Sequence, residues 1–193
     1  MNISEFIYSL FGDYGDAGVL FCVFLIFLID ALIFPALPEI FFILGYDYNP
    51  TPVFGCLLIL MAVLAELAGI FSLYFVVKRI SIPRKIAGIV EKYVGFLLVS
   101  DERVMLINRV APMIPFAGAF IAIIDAWDPK KCAAYIVLGC VLKYGLIRLA
   151  SSFFYSYFSG DMALKVTMSL VIFIVIVSLA ASYRRKKKAG IER

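Results

Sequence analysis

The chain has 193 residues, 64% of them apolar, with 18 Lys and Arg against 14 Asp and Glu for a net charge of +4. A mean hydropathy of +1.01 and an apolar share well above the roughly 45–50% of soluble domains make it an integral membrane protein, and argue against a nucleic-acid-binding module. Histidine is absent, so the usual zinc ligand and general base are missing; this counts against metallopeptidase chemistry, and no metal or cofactor is expected.

In chain order, Met1 to Asp16 carries Glu5, Asp13 and Asp16 without a basic flank, so a cleaved signal is not expected, and Ile3, Phe6, Ile7, Leu10 and Phe11 read as a short interfacial helix. Apolar stretches follow at Ala17–Phe34, Ile40–Tyr46, Val53–Val77, Val104–Trp127, Cys132–Phe158 and Met162–Tyr183. A span takes about 20 apolar residues. The stretches from Val53, Cys132 and Met162 meet that length. Ala17 to Tyr46, interrupted at Pro35 and Pro38, reads most economically as a re-entrant hairpin of two half-helices, with a full span as the alternative. Val104–Trp127, broken at Pro112, Pro115 and Gly118, reads the same way. Between them, Ile82, Ile86, Ile89, Val90 and Tyr93 recur at helical spacing opposite Arg84, Lys85, Glu91 and Lys92, and the segment ends at Gly95. It is an amphipathic helix, lying on the membrane or packed on the protein.

Basic residues orient this arrangement. Lys78 to Arg103, Lys130-Lys131 and the run Arg184-Arg185-Lys186-Lys187-Lys188 belong on the cytoplasmic side, and the turns at Asn49 and Gly160 outside. The expected organisation is an N-terminal segment (1–16), a membrane domain (17–183) and a basic cytoplasmic tail (184–193) of a plasma-membrane protein. The domain holds a first repeat (17–77), a cytoplasmic connection (78–103), a second repeat (104–158) and a final span (159–183). The expected fold is all-α: an inverted repeat of two re-entrant hairpins and transmembrane helices, plus the interfacial helix. Broken segments in matching halves are the pattern of a transporter. Tyr46, Tyr48, Tyr74, Trp127, Tyr155, Tyr157 and Tyr183 fit aromatic belts, and Cys22, Cys56, Cys132 and Cys140 read as small buried hydrophobes.

Charges inside apolar sequence are the candidate functional residues. Glu39 follows two prolines at the first break and is suited to proton exchange or to capping the next half-helix. Arg109, at the second break, is suited to a phosphate, to pairing with Glu39 or Glu66, or to snorkelling. Glu66 lies deep in its span, either paired with Lys143 or Arg148 or coupled to substrate. Asp30 joins this cluster or caps a helix. Lys143 and Arg148 project about 140° apart on a helix, so they do not grip one phosphate together, and at least one should pair with an acid.

These residues resemble the DedA superfamily of VTT-domain (SNARE-associated) membrane proteins over roughly Asp30 to Phe158. The resemblance rests on Leu37-Pro38-Glu39; on Ala65-Glu66-Leu67-Ala68-Gly69 through Tyr74 to Lys78-Arg79; on Lys92-Tyr93-Val94-Gly95; and on Asn108-Arg109-Val110-Ala111-Pro112 followed by Gly118 and a helix with Gly139. It departs where Pro115 stands for a second family arginine and Lys143 for a tryptophan. The resemblance implies a flippase or scramblase, not an enzyme, moving a polyprenyl phosphate or glycerophospholipid with coupling to H+ or Na+, and it is compatible with a homo-oligomer. A proton-coupled exporter of small organic cations, using Glu39 and Glu66, is the alternative.

Overall fold

The computed structural model describes residues 14–32, 38–80, 82–95, 101–110, 114, 116–157, 162, 165–170, 172–173 and 176–177. Seven helices are resolved end to end: α1 (Gly15–Leu32), α2 (Pro38–Tyr48), α3 (Pro52–Arg79), α4 (Arg84–Gly95), α5 (Val104–Val110), α6 (Ala117–Ile123) and α7 (Pro129–Tyr157). No strand occurs among the described residues. Pro35, Pro112, Pro115, the N-terminal segment 1–13 and the basic tail lie outside them, as does part of the stretch from Met162, where 165–170 are helical.

This is a membrane protein, because α1, α3 and residues Pro129–Phe153 of α7 are each long and apolar enough to cross a bilayer. At 1.5 Å per residue the 28 residues of α3 reach about 42 Å. Its start is fixed chemically: Thr51 accepts a hydrogen bond from Phe54 N at 3.3 Å, and Pro52 opens the first turn, where its missing N–H costs nothing. Its last turn carries Lys78 and Arg79, which complement the carbonyl end of the helix dipole. The other long helix begins alike. Asp128 accepts from Lys130 N at 2.8 Å, and Pro129 opens α7.

Before each long helix the chain runs in and comes back. Asn49 Nδ2 donates to Asp16 Oδ2 at 3.1 Å, and Gly45 packs on Val19 and Val23, so α1 and α2 are antiparallel arms closed at their base. Glu102 accepts from Asp128 N at 3.1 Å and closes the base of the α5–α6 excursion. With 7 residues each, α5 and α6 are too short to span alone, as is the 11-residue α2, whereas the 18 residues of α1 have the length of the full span held as the alternative.

The first arm of each excursion packs on the long helix that follows it, α1 on α3 and α5 on α7, while the second arms reach across, α2 to α7 and α6 to α3. Glycines set the closeness of two of these contacts. A Cβ on Gly69 would lie 2.6 Å from Ala31 Cβ, and one on Gly118 would lie 2.1 Å from the Ile70 carbonyl oxygen. Gly118 is thus a helix-packing residue inside α6 and not a break, and Pro38 is the first residue of α2.

Phe27, Phe42 and Tyr144 meet at the centre, with ring centroids 5.0 and 4.9 Å from Tyr144. Leu57, Leu60 and Leu64 on α3, and Leu138, Val141, Leu142, Leu146 and Leu149 on α7, form exposed apolar faces suited to lipid. Three aromatics expected at the membrane surface, Tyr46, Tyr74 and Trp127, are instead buried in protein, and Cys56 is exposed where a buried thiol was expected. The amphipathic α4 splits its apolar face: Val90 and Val94 are buried, Tyr93 stacks edge-on against Phe120, and Ile89 stays exposed.

Candidate functional site: two crossed ion pairs

Glu66 and Lys143 occupy matching places, each fourteen residues beyond the proline that opens its long helix. Each is paired with a charge from the excursion belonging to the other long helix. Arg109, at the end of α5, brings Nη1 to within 2.5 Å of Glu66 Oε1 on α3. Lys143 on α7 bonds Glu39, the second residue of α2. An α3 carboxylate is therefore locked by the excursion before α7, and an α7 cation by the excursion before α3.

Local structure explains how the four charges reach one place. Glu39 stands in the first turn of α2, where N–H groups and the helix dipole favour an acid. The helix dipole and Lys143 thus act on the same carboxylate. Arg109 needs room to extend past α7, and Gly139 supplies it: a Cβ there would lie 2.6 Å from Arg109 Cγ and 2.9 Å from its Cβ. Asn108, beside it, is buried and accepts from Ile114 N at 2.7 Å while donating to the Ile114 carbonyl at 3.3 Å. Its side chain satisfies both backbone groups of a residue that follows the helix end, which a broken helix inside an apolar interior requires.

The pairs are buried unequally. Glu66 and Arg109 expose 2% and 14% of their side chains; Glu39 and Lys143 expose 10% and 20%. Tyr144 lies within electrostatic reach of both glutamates and of Arg109, and its ring is 5.4 Å from Lys143 Nζ. Inside the deeper pair, Glu66 Oε2 and Arg109 Nε are buried with no hydrogen-bond partner among the described residues. A carboxylate oxygen and a guanidinium N–H left in that condition cost free energy unless a polar group reaches them.

Sequence reasoning singled out all four of these charges and left their partners as alternatives. Glu66 pairs with Arg109, for which Glu39 and Glu66 were the two acids offered, and not with Lys143 or Arg148; Lys143 does meet an acid, Glu39. Asp30 is half-buried in the last turn of α1, and Arg148 packs against Gly55, away from the pairs. Tyr144 was missed because an aromatic in an apolar helix carries no signal of its own. Asn108 could have been found as an amide next to a helix break, where backbone groups need a partner. No family profile, curated protein or solved structure matches this chain.

Proposed function

We propose that the protein is a transporter, a flippase or scramblase, that carries a phosphate-bearing lipid across the membrane, and that it belongs to the DedA-like proteins its motifs resemble. The observation that carries this reading is the crossed pairing of Glu39 with Lys143 and Glu66 with Arg109. Two halves whose packing is tied at the centre by exchangeable charges have a chemical means of loosening and rejoining there.

The charge arithmetic favours a phosphate monoester. When both glutamates are ionised the four groups sum to zero. Protonating them leaves an ammonium and a guanidinium, a charge of +2 that matches the roughly −1.5 to −2 of a phosphate monoester near neutrality. A glycerophospholipid diester, with a single negative charge, would match one pair only. Proton uptake at Glu39 and Glu66 would thus open the cations to the headgroup, and phosphate release would be followed by re-pairing. A polyprenyl phosphate is the first candidate and a glycerophospholipid the second. The exporter alternative gains less, because a small organic cation would have to displace Lys143 and Arg109 from their carboxylates and leave two cations unpaired in the interior.

In this reading the two excursions are re-entrant hairpins of an inverted repeat, supported by the matching caps and opening prolines of α3 and α7 and by the exchange of packing partners between first and second arms. The Arg79 end of α3 faces the cytoplasm of a plasma-membrane protein and the Thr51 end faces outward, on the distribution of Lys and Arg. The deciding experiment reconstitutes the purified protein in vesicles with labelled polyprenyl phosphate and labelled phospholipids. Acceleration for the monoester, abolished by Glu39→Gln and Arg109→Ala at unchanged monodispersity, supports the reading. No lipid movement, together with pH-dependent uptake of a small organic cation, refutes it.

A further inference from the structure

Two polar groups buried away from the ion pairs have no partner among the described residues. Arg148 Nε and Ser151 Oγ are both enclosed, and neither makes a hydrogen bond there. They stand three residues apart on α7, hence on one face of the helix. Ser151 is fully buried. Arg148 extends towards Gly55 on α3, where an added Cβ would lie 2.9 Å from its Nε and 2.9 Å from Tyr46 Cε2. The glycine is what admits the guanidinium between the long helices.

Arg148 differs from the other two cations of the interior. Arg109 and Lys143 each hold a carboxylate, whereas no carboxylate lies within 4.0 Å of Arg148 among the described residues. Its surroundings add positive potential. Gly55 is one turn from Thr51, the N-cap of α3, where the helix dipole is positive. A guanidinium donates five hydrogen bonds and accepts none, and a serine hydroxyl adds a sixth donor. An oxyanion suits the unpartnered Arg148 Nε and Ser151 Oγ, since it accepts from both and balances the charge.

We propose that Arg148 and Ser151, at the Thr51 end of the long helices, form an oxyanion subsite for a phosphate group, distinct from the central ion pairs. Gly55 is about 16 Å along α3 from Glu66 at 1.5 Å per residue, so one phosphate does not reach both places at once. The ligand is a phosphate, on a lipid or free. The subsite stands whether or not the protein transports, since it rests on binding groups alone.

The test is a phosphate titration of the purified full chain at pH 8, followed by thermal shift and 31P NMR, with inorganic phosphate and a short prenyl monophosphate as the two probes. Arg148→Gln should weaken binding by about tenfold or more, and Ser151→Ala by about threefold, as expected for losing a charged and a neutral hydrogen bond. Gly55→Ala keeps every ligating group but crowds the guanidinium, and should weaken binding as well. It serves as the reading if Arg148→Gln does not fold. Tighter binding of the prenyl probe marks a lipid headgroup, and equal binding marks free phosphate. Lys143→Gln separates the sites: binding that survives it and falls with Arg148→Gln belongs to the subsite. Binding lost in Lys143→Gln but kept in Arg148→Gln would place the phosphate at the central pairs and overturn the subsite, leaving the transport reading intact. No binding of either probe overturns the subsite too.

Discussion

Arg109 and Glu66 keep 14% and 2% of their side-chain surface exposed, whereas Lys143 and Glu39 keep 20% and 10%. The two pairs join the same halves of the molecule, so the difference lies in depth and in chemistry. Guanidinium stays charged at every accessible pH and is held by Gly139 and the Asn108 brace, while Lys143 is a flexible ammonium without such a brace among the described residues. A buried charge pair is costly to form and more costly to break, because the survivor remains as an unpaired charge in a low-dielectric interior. The deeper pair therefore acts as the anchor, and the shallower one as the contact that yields first.

The largest effect should come from breaking the anchor. Arg109→Ala leaves Glu66 buried and unpaired, and should cost about 3–5 kcal/mol of stability in unfolding titrations. Glu66→Leu combined with Arg109→Leu should restore most of that loss; if the double variant is no more stable than Arg109→Ala, the unpaired charge is not the cause. Next is the brace. Asn108→Ala strands the N–H and carbonyl of Ile114, a loss of about 2–4 kcal/mol, and loosens the backbone that presents Arg109.

Lys143→Ala tests the other side of the comparison and should cost only about 1–3 kcal/mol, because solvent partly screens its partner. A cost equal to that of Arg109→Ala would erase the distinction between anchor and yielding contact. The smallest effect is expected outside the pairs, at Glu102. Its carboxylate is held below the ordinary range first by its own backbone N–H and then by that of Asp128. A depressed folded-state pKa gives stability that is present above the unfolded carboxylate value and lost as pH falls through the folded one. Glu102→Gln should therefore lower the neutral Tm slightly and leave the Tm at low pH nearly unchanged, which flattens the acid side of a Tm-against-pH curve.

Glu39, Glu66, Arg109 and Lys143 were legible because a formal charge in apolar sequence stands out whatever surrounds it. Their partners were legible only as alternatives. Arg109 meets Glu66 across 43 positions of sequence and Lys143 meets Glu39 across 104, and no local periodicity records which helices lie side by side. Arg148 and Ser151 illustrate the same limit. One was noticed as a charge and the other passed over as a small residue, and only the nearness of Gly55 and the lack of a carboxylate set them apart as a pair.

Hydropathy made this a membrane protein with long apolar helices, Pro38 and Glu39 marked where α2 begins, and the isolated charges marked where the interior would be polar. Those features are local, since transfer from water and backbone hydrogen bonding act residue by residue along one chain. Tertiary structure alone decided that Tyr46, Tyr74 and Trp127 are buried in protein, that α1 is long enough for a span, and that the two ion pairs cross between the halves. Burial in a bilayer and burial against protein favour the same apolar residues, so composition cannot separate them, and Coulomb attraction selects partners by distance in space, which only the packing of the helices sets.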